Sequence, residues 1–254
     1  MCFDTDSSPP IAPARGGAVA YADLTLTAAD GSELAAFAAS GGGPVGVVIL
    51  PDVRGLYRFY EELALRFAER GHDAVAIDYF GRTAGVGKRD DDFEFWPHVE
   101  RTTYEGVLAD TAAAIAHLRA ENPNRHIVTI GFCFGGSNSW YQASNGLGLS
   151  GAIGFYGHPD REGRPLGAES LMRRVDQIDC PILGLMGGAD EGIPADVALR
   201  FGEAMEAAGV DAEIVVYPGA PHSFFDRKYA EFAAESADAW DRVNRFIERV
   251  TESG

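Results

Sequence analysis

The chain has 254 residues, of which 46% are hydrophobic and 23% charged, and its formal net charge is −17. This composition is typical of a soluble globular protein with one large α/β domain and a substantial core. Because 38 acidic residues oppose 21 basic ones, the charge disfavours nucleic acid or an anionic membrane surface as a partner. No apolar stretch approaches the ~20 residues of a membrane helix.

The cysteines and histidines indicate neither a disulfide framework nor a metal site. Cys2, Cys133 and Cys180 have no paired spacing, so we expect free thiols. The six histidines lack the HxH or HExxH spacing of metal ligands, and we expect no metal. Residues 1–6 lack the basic and apolar segments of a signal peptide, which predicts cytoplasmic residence.

The first residues are predicted to lie outside the folded domain. Residues 1–17 contain Ser-Ser-Pro-Pro at 7–10 and Arg-Gly-Gly at 15–17, sequences that favour turns and linkers. The remaining chain shows neither an internal repeat nor a linker-like segment. We therefore expect a loose arm over 1–17 and a single domain over 18–254.

Strands and helices alternate along this domain. The alternating run at 21–27, a turn at Asp30-Gly31 and the run at 34–39 predict an antiparallel hairpin. Apolar runs predict further strands at 45–50, 74–77, 127–130, 152–155, 182–186 and 214–217. Helical spacing predicts helices at 60–70, 102–120, 195–208 and 229–250. Two edge strands and six mainly parallel ones predict an α/β fold with an eight-stranded, doubly wound sheet and helices on both faces.

The stretch from 82 to 101 admits two interpretations. Its acidic run at 90–92 favours a solvated loop, which is the interpretation we prefer. The same stretch contains Phe93, Phe95 and Trp96, so it could instead fold partly over a site.

The segment from Gly131 to Gly135 is the most informative part of the chain. Its sequence, Gly-Phe-Cys-Phe-Gly, directly follows an apolar run and predicts a strand, a sharp turn and a helix, with the Cys133 thiol at the apex. The flanking glycines are needed because a neighbouring Cβ would clash at such a strained turn. The arrangement resembles the nucleophile elbow of α/β-hydrolases, with Cys in place of Ser. Cys180, at a predicted strand start, is expected to be an inert core residue.

A thiol nucleophile needs a base, and the base needs an orienting acid. In α/β-hydrolases the acid and then the histidine follow the nucleophile, on loops at the carboxyl ends of later strands. Asp190 and His222 meet this requirement, with Glu191 and Asp196 as competing acids. His158 precedes the predicted acid and would break the chain order, so we expect a pocket-wall or surface residue.

Backbone N–H groups are expected to hold the oxyanion of the reaction. In this fold one donor follows the nucleophile and the other lies in the loop after the early central strand. Here the donors would be the N–H groups of Phe134 and Val53.

Together these residues resemble the dienelactone hydrolase family of α/β-hydrolases. The resemblance covers nearly the whole chain from about residue 20. It rests on Gly-Phe-Cys-Phe-Gly-Gly at 131–136, on Met-Gly-Gly-Ala-Asp at 186–190 with Ile-Pro at 193–194, and on His-Ser-Phe at 222–224. The family hydrolyses dienelactone (4-carboxymethylenebut-2-en-4-olide) to maleylacetate in aromatic degradation. It uses a Cys-Asp-His triad and no cofactor, which the resemblance implies for this chain.

The resemblance also implies substrate-binding residues. Asp52 stands where dienelactone hydrolase has a Glu that contacts the resting cysteine, and its side chain is shorter. Arg82 matches the first of the arginines that bind the substrate carboxylate in the family. The second is expected four positions after the His, where this chain has Asp226, with Arg227 one position later. An Asp there would repel a carboxylate unless Arg227 dominates, which argues against dienelactone itself more than against the family.

Several further residues near predicted strand ends are candidates for the pocket lining, although most would also fit the core. Tyr156 is the one that we assign to substrate binding. The others are Arg54, Tyr57, Tyr60, Phe80, Trp96 and Phe155.

Sulfur chemistry restricts the substrate further. A tetrahedral intermediate expels its better leaving group, and against a plain alkoxide that group is the thiolate itself. A Cys triad therefore suits enol, aryl or thioesters. We predict a cofactor-independent hydrolase that cleaves small-molecule carboxylic esters or enol lactones through an acyl-thioester, as a monomer or homodimer. The alternatives are a broad aryl-esterase or thioesterase without carboxylate recognition, and a non-catalytic redox-sensing or ligand-binding member of the fold.

Overall fold

The computed structural model describes residues 7–14 and 19–252. Of the arm predicted at 1–17, residues 1–6 and 15–17 lie outside the described residues. Residues 7–14 form neither helix nor strand. Ile11 packs against the core, and the Ala14 N–H donates to Glu69 Oε2 at 2.9 Å. This part of the arm therefore contacts the folded domain.

The described residues form eight strands and seven α-helices. The strands are β1 (Ala20–Thr27), β2 (Glu33–Ser40), β3 (Val45–Leu50), β4 (Asp73–Ile77), β5 (His126–Phe132), β6 (Gly151–Phe155), β7 (Ile182–Gly187) and β8 (Ala212–Tyr217). The helices are α1 (Arg58–Ala68), α2 (Gly81–Ala84), α3 (Trp96–Val99), α4 (Tyr104–Arg119), α5 (Phe134–Gln142), α6 (Ala195–Ala207) and α7 (Ala233–Glu252), with 3₁₀ turns at Leu171–Arg173 and Val175–Gln177. Over residues 7–14 and 19–252, each helix is too short or too polar to cross a membrane.

All eight strands belong to one sheet, in the order β1-β2-β4-β3-β5-β6-β7-β8. The pairs β1/β2 and β2/β4 are antiparallel, and the pairs from β4/β3 to β7/β8 are parallel. The predicted eight-stranded, mainly parallel sheet with its antiparallel hairpin at one edge is confirmed.

The core lies on both faces of this sheet. Side chains alternate along β3, so Val47 and Ile49 pack in one cluster with residues of α1 and α7. Val48 and Leu50 pack in a second cluster with residues of α4, α5 and α6. Every residue of β3 is buried, as expected for a central strand covered by helices on both faces.

The predicted start of the last helix at 229 is wrong by four residues. The chain between His222 and α7 forms a series of turns. In these turns the N–H groups of Asp226 and Lys228 donate to the Ser223 carbonyl, at 3.2 and 3.1 Å. Because these backbone groups are hydrogen-bonded within the turns, the helix begins only at Ala233.

Candidate active site

Cys133 lies at a strained turn between β5 and α5. Its φ of 56° and ψ of −114° fall in a region that L-residues rarely adopt. A Cβ on Gly131 would lie 1.9 Å from the Gly135 carbonyl oxygen, and a Cβ on Gly135 would lie 2.0 Å from the Leu50 carbonyl oxygen. Neither position can therefore accept a side chain without backbone movement. The predicted strand, turn and helix are present, with the thiol at the apex.

The backbone around Cys133 is also fixed by hydrogen bonds. Its N–H donates to the Phe155 carbonyl at 3.0 Å, and its own carbonyl accepts from the Gly136 N–H at 3.0 Å. These contacts tie the turn to β6 on one side and to the first turn of α5 on the other. The surrounding structure thus maintains a conformation that the isolated peptide would not favour.

Asp190 and His222 form a hydrogen-bonded pair. His222 Nδ1 lies 2.6 Å from Asp190 Oδ2. The other carboxylate oxygen, Oδ1, accepts the N–H groups of Gly192 at 2.8 Å and Ile193 at 3.1 Å. Because a carboxylate accepts at Nδ1, the proton of a neutral imidazole stays on Nδ1, and the Nε2 lone pair is left to take a proton. The competing acid Asp196 is exposed and pairs with Arg200 at 3.5 Å.

One cavity brings the predicted residues together. Cys133, Asp190 and His222 all line a cavity of about 510 Å³. Each comes from a loop after a different parallel strand, namely β5, β7 and β8. The carboxyl ends of parallel strands meet at one edge of a sheet, which is where α/β proteins place their ligands. The Asp190–His222 pair and the Cys133 thiol, which come from distant parts of the sequence, therefore line the same cavity.

The two expected oxyanion donors also line this cavity. Phe134 is the first residue of α5, so its N–H has no acceptor within the helix. Val53 lies in the loop between β3 and α1. Neither N–H has a hydrogen-bond acceptor among the residues that the structure describes. N–H groups without an acceptor, at a cavity that also contains a thiol, are the kind of donors that can hold the oxygen of a tetrahedral intermediate.

Tyr156 connects the histidine to a buried carboxyl group. It lines the cavity, and the centroid of its ring lies 4.8 Å from that of the His222 ring. Its hydroxyl donates to Asp226 Oδ2 at 2.7 Å. Burial raises the pKa of Asp226 to about 8, so this carboxyl is mostly protonated at pH 7. The repulsion that an ionised Asp226 would exert on a substrate carboxylate is correspondingly weak.

The structure does not bring the other expected substrate-binding residues into the cavity lining. Arg82 contacts Asp110 Oδ1 at 2.5 Å and Asp30 Oδ2 at 2.9 Å, so its charge is already neutralised outside the cavity. The Arg227 side chain is exposed. Asp52 is fully buried, and its Oδ1 accepts the Arg54 N–H at 2.9 Å. The geometry therefore gives no support to carboxylate binding by Arg82 or Arg227.

Two charged residues of the cavity wall were not identified from the sequence. Arg161 and Arg164, in the loop after β6, line the cavity together with His158. This loop has no periodicity and no motif, and its only signal is a pair of arginines in a long connection after a site strand. Trp96 also lines the cavity, whereas the acidic run at 90–92 is exposed. Both interpretations of the stretch 82–101 thus hold for different parts of it.

Known proteins resemble this chain in sequence and in structure. The family model described as the dienelactone hydrolase family matches residues 34–251. A provisionally named carboxymethylenebutenolidase of Escherichia coli K12 is 30% identical over 210 residues, which cover 79% of this chain and 76% of that protein. Another, of Methylorubrum extorquens AM1, is 27% identical over 82% of this chain and 73% of its own length. The crystal structure of a provisionally named dienelactone hydrolase of Klebsiella pneumoniae has a TM-score of 0.78 at 25% identity, and covers 91% of this chain and 98% of that chain.

Proposed function

Since the chain belongs to the dienelactone hydrolase family and is a hydrolase of that family, we propose that it cleaves carboxylic esters or enol lactones with Cys133 as its nucleophile. The reaction needs no cofactor. Asp190 orients His222, His222 moves the proton, and the N–H groups of Phe134 and Val53 hold the oxyanion. The observation that carries this proposal is the 2.6 Å contact between Asp190 and His222 in the same cavity as a thiol on a strained turn.

Acylation proceeds by attack of Cys133 Sγ on the ester carbonyl. As the C–S bond forms, His222 Nε2 takes the thiol proton and the carbonyl π electrons move to the oxygen. When the oxyanion collapses, the C–O bond breaks and His222 returns the proton to the leaving oxygen. The product is an acyl-thioester on Cys133. In a lactone the leaving oxygen stays covalently attached to the acyl group.

Deacylation uses the same residues, with water as the attacking group and the Cys133 thiolate as the leaving group. His222 takes a proton from a water molecule, whose oxygen attacks the thioester carbonyl. The second tetrahedral intermediate expels the Cys133 thiolate, which regains a proton from His222. The net reaction consumes one water and releases an acid and an alcohol or enol.

The nature of the substrate follows from the leaving group. A thiolate competes poorly against a plain alkoxide, because the intermediate then expels sulfur and reverts. Enol lactones, aryl esters and thioesters have leaving groups that compete with sulfur. By extension from relatives named carboxymethylenebutenolidase, the reaction would belong to the cytoplasmic breakdown of aromatic compounds. The enzyme would act as a monomer or homodimer on small molecules, with no nucleic acid or membrane partner.

A leaving-group series tests the proposal. The purified protein would be assayed with an enol lactone, an aryl ester and the ethyl ester of one acid. We expect turnover of the first two and a kcat/KM for the ethyl ester lower by about two decades or more, since one decade corresponds to 1.36 kcal/mol of barrier. Equal rates for aryl and ethyl esters would contradict a thiolate nucleophile, and no turnover of any member would contradict ester hydrolysis.

A further inference from the structure

Arg161 and Arg164 line the cavity and carry positive charges that no carboxylate of the described residues neutralises. Both line the cavity, and neither guanidinium has an ion-pair partner or a hydrogen-bond acceptor among residues 7–14 and 19–252. Nearby Arg173, which does not line the cavity, contacts Glu162 Oε1 at 2.7 Å. In a chain with 38 acidic residues, two unpaired cavity arginines require an explanation.

Other titratable side chains also line the cavity. Asp190 is engaged with His222, and the exposed Glu191 carries a negative charge on the same wall. Burial lowers the pKa of His158 and the charge of Arg161 lowers it further, against the smaller opposing effects of Asp160 and Asp190, so the neutral form of His158 is favoured. The permanent positive charge on this wall therefore comes from the two arginines, and the exposed Glu191 opposes it.

The loop that carries the arginines is held in place on both sides. The Tyr141 hydroxyl donates to the carbonyls of Arg161 at 3.3 Å and Glu169 at 2.5 Å. The Leu166 N–H donates to the Thr102 carbonyl at 2.8 Å, and the Leu166 carbonyl accepts the Tyr104 N–H at 2.8 Å. A fixed backbone lowers the entropic cost of using a long side chain for recognition.

Trp96 limits the freedom of one of these side chains. The guanidinium carbon of Arg164 lies 5.7 Å from the centre of the Trp96 ring, within the range of a cation–π contact. Trp96 itself lines the cavity. An aromatic face can therefore hold Arg164 towards the cavity without neutralising its charge.

We propose that Arg161 and Arg164 bind an anionic group of the substrate, a carboxylate or a phosphate, while Cys133 attacks the ester. Guanidinium groups suit such oxyanions because their N–H donors match two oxygens at once. The proposal rests on the proposed function, because the arginines select among esters that Cys133 hydrolyses. In this proposal Arg161 and Arg164, rather than Arg82 and Arg227, make the enzyme selective for anionic substrates.

The test compares esters that differ in one charged group. Matched substrates are p-nitrophenyl butyrate, the mono-p-nitrophenyl ester of glutarate and p-nitrophenyl 4-phosphonobutyrate. The readout is the ratio of kcat/KM for an anionic ester to that for the butyrate. In R161Q and R164Q this ratio should fall about tenfold each, through KM, because each variant removes a charge-assisted hydrogen bond made equally to substrate and transition state. A larger fall of this ratio for the glutarate ester would identify a carboxylate as the preferred anion, and a larger fall for the phosphonate ester would identify a phosphate.

Two control variants separate recognition from a general change in charge. R173Q removes one positive charge from the same region, and its ratio should stay within twofold of wild type. Glu191→Gln removes the opposing charge from the cavity wall, and the ratio should rise. A ratio that is unchanged in R161Q and R164Q, or that falls equally in R173Q, would overturn the proposal.

A failure of the hydrolase assignment would be recognised separately. If the wild-type protein hydrolyses none of the three esters, the proposed function fails. The arginine site would then be tested by calorimetry with glutarate dianion. Binding that is lost in the R161Q/R164Q double variant but kept in R173Q would support the site, whereas no binding to the wild-type protein would overturn it.

Discussion

Cys133 and Cys180 are the same side chain in two different environments. Cys133 is half-buried, has a positive φ and lines the cavity that contains the Asp190–His222 pair. Cys180 is 7% exposed and packs in a core cluster just before β7. Burial raises the pKa of Cys180 to about 12, so its thiol stays protonated at pH 7. We therefore expect the backbone conformation and a base at the same cavity, rather than the residue type, to decide which of the two thiols reacts.

The surroundings of the two thiols differ in a second way. Near Cys133, polar groups are linked from Asp190 through His222 to the ring of Tyr156 and on to Asp226. Around Cys180 the cluster is formed by apolar side chains. The first region therefore contains titratable groups beside the cavity, whereas Cys180 packs among apolar side chains.

Replacing each cysteine with alanine should separate the two regions most strongly. Cys133→Ala should lower kcat by about 10⁴-fold or more, because members of a catalytic triad act as a unit. Cys180→Ala should leave kcat within about twofold and lower the free energy of unfolding by about 1 kcal/mol, since it removes one small buried group. The measurements are steady-state kinetics on an aryl ester and urea unfolding. Near-normal turnover by Cys133→Ala, or a loss of turnover confined to Cys180→Ala, would contradict the catalytic role assigned to Cys133.

A smaller effect, on the pH dependence of the free energy of unfolding, is expected from the buried carboxyl group of Asp226. Its folded-state pKa of about 8 lies above the ordinary value of 3.8. Between about pH 4 and 8 the unfolded chain is therefore ionised at Asp226 while the folded protein keeps the proton. The folded state binds more protons in this window, so the contribution of Asp226 to stability falls as the pH rises, by at most about 1.4 kcal/mol per pH unit.

Asp226→Asn isolates this contribution, because the amide does not titrate. The free energy of unfolding of wild type minus that of the variant should decrease steadily from pH 5 to pH 8 in urea titrations. The matched control is Asp196→Asn, which removes a carboxylate that is 71% exposed, and the decrease should be larger for Asp226→Asn than for this control. A flat difference for Asp226→Asn would show that this carboxyl is ionised in the folded protein.

The sequence was sufficient for those features that depend on short-range pattern. The glycines around Cys133 exclude side chains for local steric reasons, and the rule that parallel strands end at one edge predicts which loops converge. The partners of Arg82 were not predictable in this way, since Asp110 and Asp30 lie 28 and 52 positions away in sequence. The same holds for the loop arginines and for the burial of Asp226, which depend on tertiary packing rather than on a motif.

The central claim is that the sulfur of Cys133 carries the acyl group during turnover. The direct measurement is mass spectrometry of protein that is acid-quenched within milliseconds of mixing with an aryl ester, followed by peptide mapping. The account predicts the mass of one acyl group on the peptide that contains Cys133 and none on the peptide that contains Cys180. An active enzyme that shows no acyl group at Cys133 under these conditions, or shows it on another residue, would contradict the account.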